Sequence, residues 1–167
     1  MFFWFLGAGM VAVWNVFHDP RFDIRLLALG LLLPDLIDGP LGGARFMHSV
    51  TASVVLMIVL VLATIGRRPL RKHLLAVPIG TFLHLVLDGA FNDTRAFWWP
   101  FSGLSLPDGG LPSLERPLWL NVVLELCGLL MLRWFWRRFS LADPEVRHRL
   151  FTTGALPGAR DPQGATC

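Results

Sequence analysis

The sequence predicts an all-α polytopic membrane protein, a bundle of about five transmembrane helices. Three observations predict it. Hydrophobic residues fill 54% of the 167 positions and charged residues only 16%. Mean hydropathy is +0.55, well above that of a soluble domain. The charges also gather between apolar runs rather than along one face of each run, which is the pattern of membrane helices and their connections. Fifteen Lys and Arg against 12 Asp and Glu could suit nucleic acid. The basic residues flank apolar segments, however, so they read as topology signals, and no nucleic-acid partner is expected. The length is that of one domain. Cys127 lies in an apolar run and Cys167 ends the chain, a spacing that makes neither a disulfide framework nor a zinc finger.

The first helix is expected over residues 2–17. It has no basic lead and no small-residue cleavage signal, so it reads as a retained helix. It is short for a span of roughly 20 residues, a deficit that tilt absorbs. Asp19 is expected to cap a second helix over 20–38, with Pro20 in its first turn. Gly39-Pro40 and Gly42-Gly43 end it. The third helix is expected over 46–65. A basic hinge, 66–73, leads to a fourth helix over 74–91, with Pro78 and Gly80 as kink points. A Pro- and Gly-rich connection, 92–117, carries the aromatic cluster Phe97-Trp98-Trp99-Pro100-Phe101. The fifth helix is expected over 118–136. Residues 1–136 therefore form the bundle, and 137–167 a cytoplasmic basic tail, partly disordered towards its end.

Orientation follows the basic residues. Arg67, Arg68, Arg71 and Lys72 should be cytoplasmic. So should Arg133, Arg137, Arg138, Arg147 and Arg149. The N-terminus and the 39–45 and 92–117 connections then lie outside, and the C-terminus inside.

This topology gathers five side chains at the outer end: Asp35 and Asp38 after the second leucine run, His48 at the start of the third helix, and His84 and Asp88 in the outer half of the fourth. His18, His73 and His148 fall at the other end. Asp35 and Asp38 are three residues apart and share a helix face, and His84 and Asp88 sit one turn apart, about 6 Å along the axis. Carboxylates at membrane depth need compensation. The expected compensation is a divalent metal ion, zinc or manganese on the strength of mixed imidazole and carboxylate donors. The five donors suit one supported ion or two ions sharing a carboxylate. Such an ion would activate water and polarise a phosphoryl or carbonyl oxygen. Taken alone, Asp35 and Asp38 also read as a turn former and a helix stop, and His84 as a partner in helix packing.

Other residues carry weaker signals. Glu125 and Asn121 share a face of the fifth helix; Glu125 reads equally as a support for the metal site and as a polar contact between helices. Arg45 reads as a phosphate contact or an interfacial anchor. Trp98 and Trp99 read as an aromatic belt. Asn92-Asp93-Thr94 matches a glycosylation sequon, a frequent chance occurrence.

The segments Leu33-Pro34-Asp35-Leu36-Ile37-Asp38, Arg45-Phe46-Met47-His48-Ser49 and Gly80-Thr81-Phe82-Leu83-His84-Leu85-Val86-Leu87-Asp88, with the Trp99-Pro100 neighbourhood, resemble the YdjM-like membrane-bound metal-dependent hydrolases of the bacterial inner membrane. The resemblance spans about 19–101. It implies that Asp35, Asp38, His48, His84 and Asp88 are metal ligands. The His-x-x-x-Asp element is also similar to one in zinc-dependent phospholipase C and P1-type nucleases, which implies phosphoester hydrolysis. The chain departs from the pattern in its first helix, where Trp4-Phe5-Leu6-Gly7 stands in the region that often carries a histidine. The expected activity is hydrolysis of a lipid-linked phosphoester at the outer membrane face, with Asp35, His84 and Arg45 in catalysis and membrane lipid as the partner. The alternative is a non-catalytic metal-binding or structural membrane protein with a partner-binding cytoplasmic tail.

Overall fold

The computed structural model describes residues 1–41, 43, 46–105 and 116–157. All of their regular structure is helical; no strand occurs among the described residues. Helix α1 (Phe2–Phe17) matches its expected bounds. It ends at His18, in the left-handed conformation with its N–H on Trp14 O.

Helix α2 (Ile24–Asp38) starts later than expected, because Asp23 rather than Asp19 is its cap. The Asp19 carboxylate is taken by Arg21 N at 2.9 Å and Lys72 Nζ at 2.7 Å. Asp23 accepts from Arg25 N and Leu26 N, the orphan amides of the first turn. Pro34 lies inside α2 and removes the amide that would bond Gly30 O.

Helix α3 (Val50–Ala63) is shorter than expected. Ser49 caps it by accepting from Ala52 N, and Phe46–His48 forms a separate 3-10 turn. His48 is therefore a turn residue, not a helix residue.

The basic segment expected as a hinge is itself helical. Helix α4 (Arg68–Leu74) begins with Pro69 in its first turn, after Gly66 has supplied a φ of +79°. Helix α5 (Ala76–Leu87) follows with a break at Leu75. The break falls where Pro78 denies Leu74 O its amide partner. Gly89, at φ +64°, ends α5. A short helix α6 (Thr94–Phe97) is capped by Asp93, then α7 (Leu118–Arg138) and α8 (Pro144–Thr153) follow.

Two glycine contacts set the packing. Gly30 of α2 lies against the Val77 backbone, and Gly80 of α5 against the backbone of Leu27, Gly30 and Leu31. Further along both helices, His84 of α5 bonds Leu31 O and lies beside Asp35 of α2, so the contacts advance in the same chain direction and α2 and α5 are parallel. Likewise Gly7 of α1 meets the Gly128 backbone of α7, and Trp14 stacks edge-on to Phe139 at 4.7 Å, so α1 and α7 are parallel. Small residues let the main chains approach. Phe3 N donates to Glu125 Oε2 at 2.8 Å, so Glu125 satisfies an orphan amide of α1. This is the helix-contact role of the two read from the sequence.

The segment after α7 stays against the helices. Phe139, Leu141 and Leu156 are buried in one core with Val13, Ile24, Leu27, Leu31, Ala76 and Phe135. Leu156 N bonds Pro20 O at 2.8 Å, and Ile24 N bonds Gly154 O at 3.1 Å. The chain folds back onto the start of α2, and α8 lies in this segment. The expected disordered end, 158–167, lies outside the described residues.

Two helical stretches, Arg68–Leu87 and Leu118–Arg138, are long and apolar enough to cross a membrane; Phe2–Phe17 and Val50–Ala63 are shorter apolar helices.

Candidate metal centre

The parallel pairing of α2 and α5 carries Asp35 to His84. The 3-10 turn before α3 brings His48 to the same point. Asp35 Oδ1 lies 3.5 Å from His48 Nε2 and 3.5 Å from His84 Nε2. One ligand atom from each of the three residues falls within 4.8 Å of the others. Ligands about 2.1 Å from a tetrahedral ion stand roughly 3.4 Å apart, so the two 3.5 Å spacings match edges of such a set. Asp35, His48 and His84 lie close enough to hold a metal ion.

The histidines are held from behind. His84 donates Nδ1–H to Leu31 O at 2.7 Å. A carbonyl only accepts, so this bond leaves Nε2 as the ring atom facing Asp35. The Leu31 carbonyl sits in the turn that Pro34 disturbs. His48 Nδ1 bonds Asp38 Oδ2 at 2.8 Å, and the His48 backbone N donates to the same oxygen at 3.2 Å. Neither Nε2 atom, nor Asp35 Oδ1, has a hydrogen-bond partner among the described residues. A carboxylate or carbonyl on one ring nitrogen, with the other turned to a shared point, is the arrangement that orients metal-binding histidines.

Burial divides the group. His48, His84 and Asp38 are fully buried, while the Asp35 side chain keeps 26% exposure. Asp35 is thus the open side of the cluster. Burial works against a charge on His48, yet the carboxylates of Asp35 and Asp38 raise its pKa to about 9. The pocket favours a cation at that imidazole.

The five residues expected as ligands do not have equal places. Asp35, His48 and His84 form the cluster. Asp38 lies behind His48, as its hydrogen-bond acceptor. Asp88 follows α5, one turn beyond His84, and is 1% exposed. Neither of its carboxylate oxygens has a hydrogen-bond partner among the described residues. Burial raises the Asp88 pKa, against the pull of His84 and Arg116. It lies outside the three-residue cluster and faces Arg116 Nη2 across 3.5 Å. Arg45, expected in catalysis, falls outside the described residues. His73 lies at the opposite end of the bundle, 3.5 Å from Asp23.

Two residues near the site were not singled out from sequence. Arg116 precedes α7 and donates through Nη2 to Asp88 O. Its charge was the available signal, but the Pro- and Gly-rich connection that ends at it gave no position. Phe5 is fully buried and lies on the His84 ring, with centroids 4.1 Å apart. An apolar ring therefore occupies the α1 side of the cluster, in the helix where the resemblance implies a histidine.

Comparison of the chain with protein families, with curated proteins and with solved structures gives no match.

Proposed function

We propose that the chain is a polytopic membrane protein of about five spans that binds a divalent metal ion through Asp35, His48 and His84 and hydrolyses a phosphoester carried on a lipid. The observation that carries this reading is the pair of imidazoles, each with Nδ1 committed and Nε2 turned to Asp35 Oδ1 at 3.5 Å. Two imidazoles and a carboxylate suit zinc, and the nearby carboxylates Asp38 and Asp88 widen the choice to manganese. A bound ion of this kind supplies Lewis acidity towards water and a phosphoryl oxygen. Asp38 and Leu31 O hold the ligand rings, Phe5 keeps water from the α1 side, and Asp35 marks the entry. The order and spacing of these motifs is why the YdjM-like resemblance belongs to the proposal.

The membrane part draws on helix surfaces. Helix α7 buries only Gly128 and Phe135 and exposes Leu118, Trp119, Val122, Val123, Leu126, Leu129 and Leu130. An apolar helix exposed around most of its girth suits lipid rather than water. In the proposed topology the site lies at the outer face of the inner membrane and the arginine-rich end of α7 in the cytoplasm. The lipid substrate is supported by an apolar groove of about 560 Å³ between α1, α3 and α5, lined by Val13, Val16, Met57, Ile79, Phe82 and Leu83 among others. Leu83 precedes the ligand His84, so an acyl chain in the groove would lie along the helix that carries that ligand.

The test is elemental analysis of detergent-purified protein beside His84→Ala and His48→Ala. Near-stoichiometric metal in the wild type and its loss in both variants is the expected result. Equal, substoichiometric metal in all three overturns the reading. The second reading, a non-catalytic membrane protein with a partner-binding tail, draws on Arg133, Arg137 and Arg138, which line one surface pocket. It predicts no phosphoester turnover by the metal-loaded protein.

A further inference from the structure

Arg116 has more donors than the described residues use. Its Nη2 bonds Asp88 O, the same atom lies 3.5 Å from Asp88 Oδ1, and Nη1 stands 4.0 Å from Met1 Sδ. A guanidinium carries five N–H groups. Its side chain is only 20% exposed, so unspent donors there are a desolvation cost unless an anion meets them.

Gly89 gives the second observation. It adopts φ +64° directly after Asp88. A Cβ built on it would stand 3.3 Å from Arg116 Nη2 and 3.3 Å from Asn92 Nδ2. A guanidinium and a side-chain amide therefore flank one spot on the backbone that a side chain would fill. The spot lies just past the helical turn that joins His84 to Asp88, about 7.5 Å beyond His84 at the helical rise per residue.

Charge supplies the third. Asp35 and Asp38 place negative charge beside the two histidines, and Asp88 adds to it when ionised. An anionic substrate needs a further cation, and Arg116 is the arginine that the described residues place there.

We propose that Arg116 and Asn92, on either side of the bare Gly89 backbone, bind the non-bridging oxygens of a phosphoryl group next to the metal cluster. This rests on the metal-site reading and specifies its substrate as a tetrahedral oxyanion. The guanidinium fork matches two such oxygens, and the amide N–H groups of Asn92 reach a third.

The probe is inorganic phosphate, titrated calorimetrically into detergent-purified protein with and without zinc, with zinc content measured in parallel. Arg116→Ala should keep its zinc and lose about ten- to a hundredfold in phosphate affinity. Arg116→Lys should recover only part, because a point charge lacks the fork. Asn92→Ala should lose several-fold. Wild-type phosphate affinity in Arg116→Ala overturns the assignment. So does loss of zinc in step with phosphate in both Arg116 variants, since that marks a purely structural ion pair. Wild-type protein that holds zinc yet binds no phosphate overturns it while leaving the metal reading intact. Protein that holds no zinc overturns the metal reading, and the phosphate titration on that protein still decides for or against Arg116.

Discussion

Asp38→Asn separates a metal ligand from a ligand's support. Asp38 Oδ2 takes two bonds from His48, 2.8 Å from Nδ1 and 3.2 Å from the backbone N. An asparagine of the same shape keeps one oxygen to accept these bonds but removes the charge that makes His48 a stronger donor to metal. Losing such a supporting carboxylate weakens metal binding about ten- to a hundredfold, roughly 1.4–2.7 kcal/mol. Asp35→Asn removes a ligand itself. Structural zinc sites bind with roughly 10–16 kcal/mol over four ligands, or about 2.5–4 kcal/mol each, close to a hundred- to a thousandfold. The assay is zinc affinity by competition with a chromophoric chelator, in detergent at neutral pH, for wild type and both variants. The expected order is wild type, then Asp38→Asn, then Asp35→Asn. Equal losses in the two variants would make Asp38 a ligand, and wild-type affinity in Asp38→Asn would refute its orienting role.

Gly80→Ala should destabilise the protein by about 3 kcal/mol or more, because the added methyl overlaps the α2 main chain, which cannot yield as a side chain would. Thermal melting should show this with a parallel loss of metal, since Leu31 both abuts Gly80 and receives His84; Gly39→Ala, with nothing within 4 Å, should be neutral or stabilising by up to about 1 kcal/mol. Asp23 predicts an acid dependence: burial opposes its charge, but Arg25 and the first amides of α2 outweigh it and lower its pKa. The folded value lies below the unfolded 3.8, so its stabilisation is present above that pH and is lost as pH falls through the folded value. Melting curves taken down through that window should flatten in Asp23→Asn, and an unchanged acid slope would refute the linkage.

The apolar runs made α1 and α7 legible almost to the residue, because such runs carry their own boundary signals. The other helix starts depended on contacts that sequence alone does not rank. Asp19 was the expected cap, but its carboxylate is drawn off by Arg21 N and by Lys72, 53 residues downstream, while Asp23 holds the α2 amides. Ser49 outcompetes Phe46 for the start of α3 by its own hydroxyl, and this moves His48 off the helix. Phe139, Leu141 and Leu156 show no helical period, so their place in the core depends wholly on tertiary packing. At the site, same-end reasoning brought out Asp35, His48 and His84. It could not tell ligand from support for Asp38, because that distinction rests on which imidazole nitrogen the carboxylate meets. Arg116, in a Pro- and Gly-rich stretch without period, offered chemistry but no position.

The contact of Gly7 with Gly128 also orders events during synthesis. The first helix has its glycine partner only after more than a hundred further residues have left the ribosome. Until then α1 is seated only on α2 and α5, where Gly9 abuts Leu31, Trp4 Nε1 donates to Leu87 O and Phe5 lies on His84. Contacts between such distant parts of a chain form late and slowly. Asp35, His48, His84 and the Phe5 that covers them all emerge before α7, so the cluster and its apolar cover can assemble first. Helix α7 would then dock against the far side of α1, as the last piece rather than the first support.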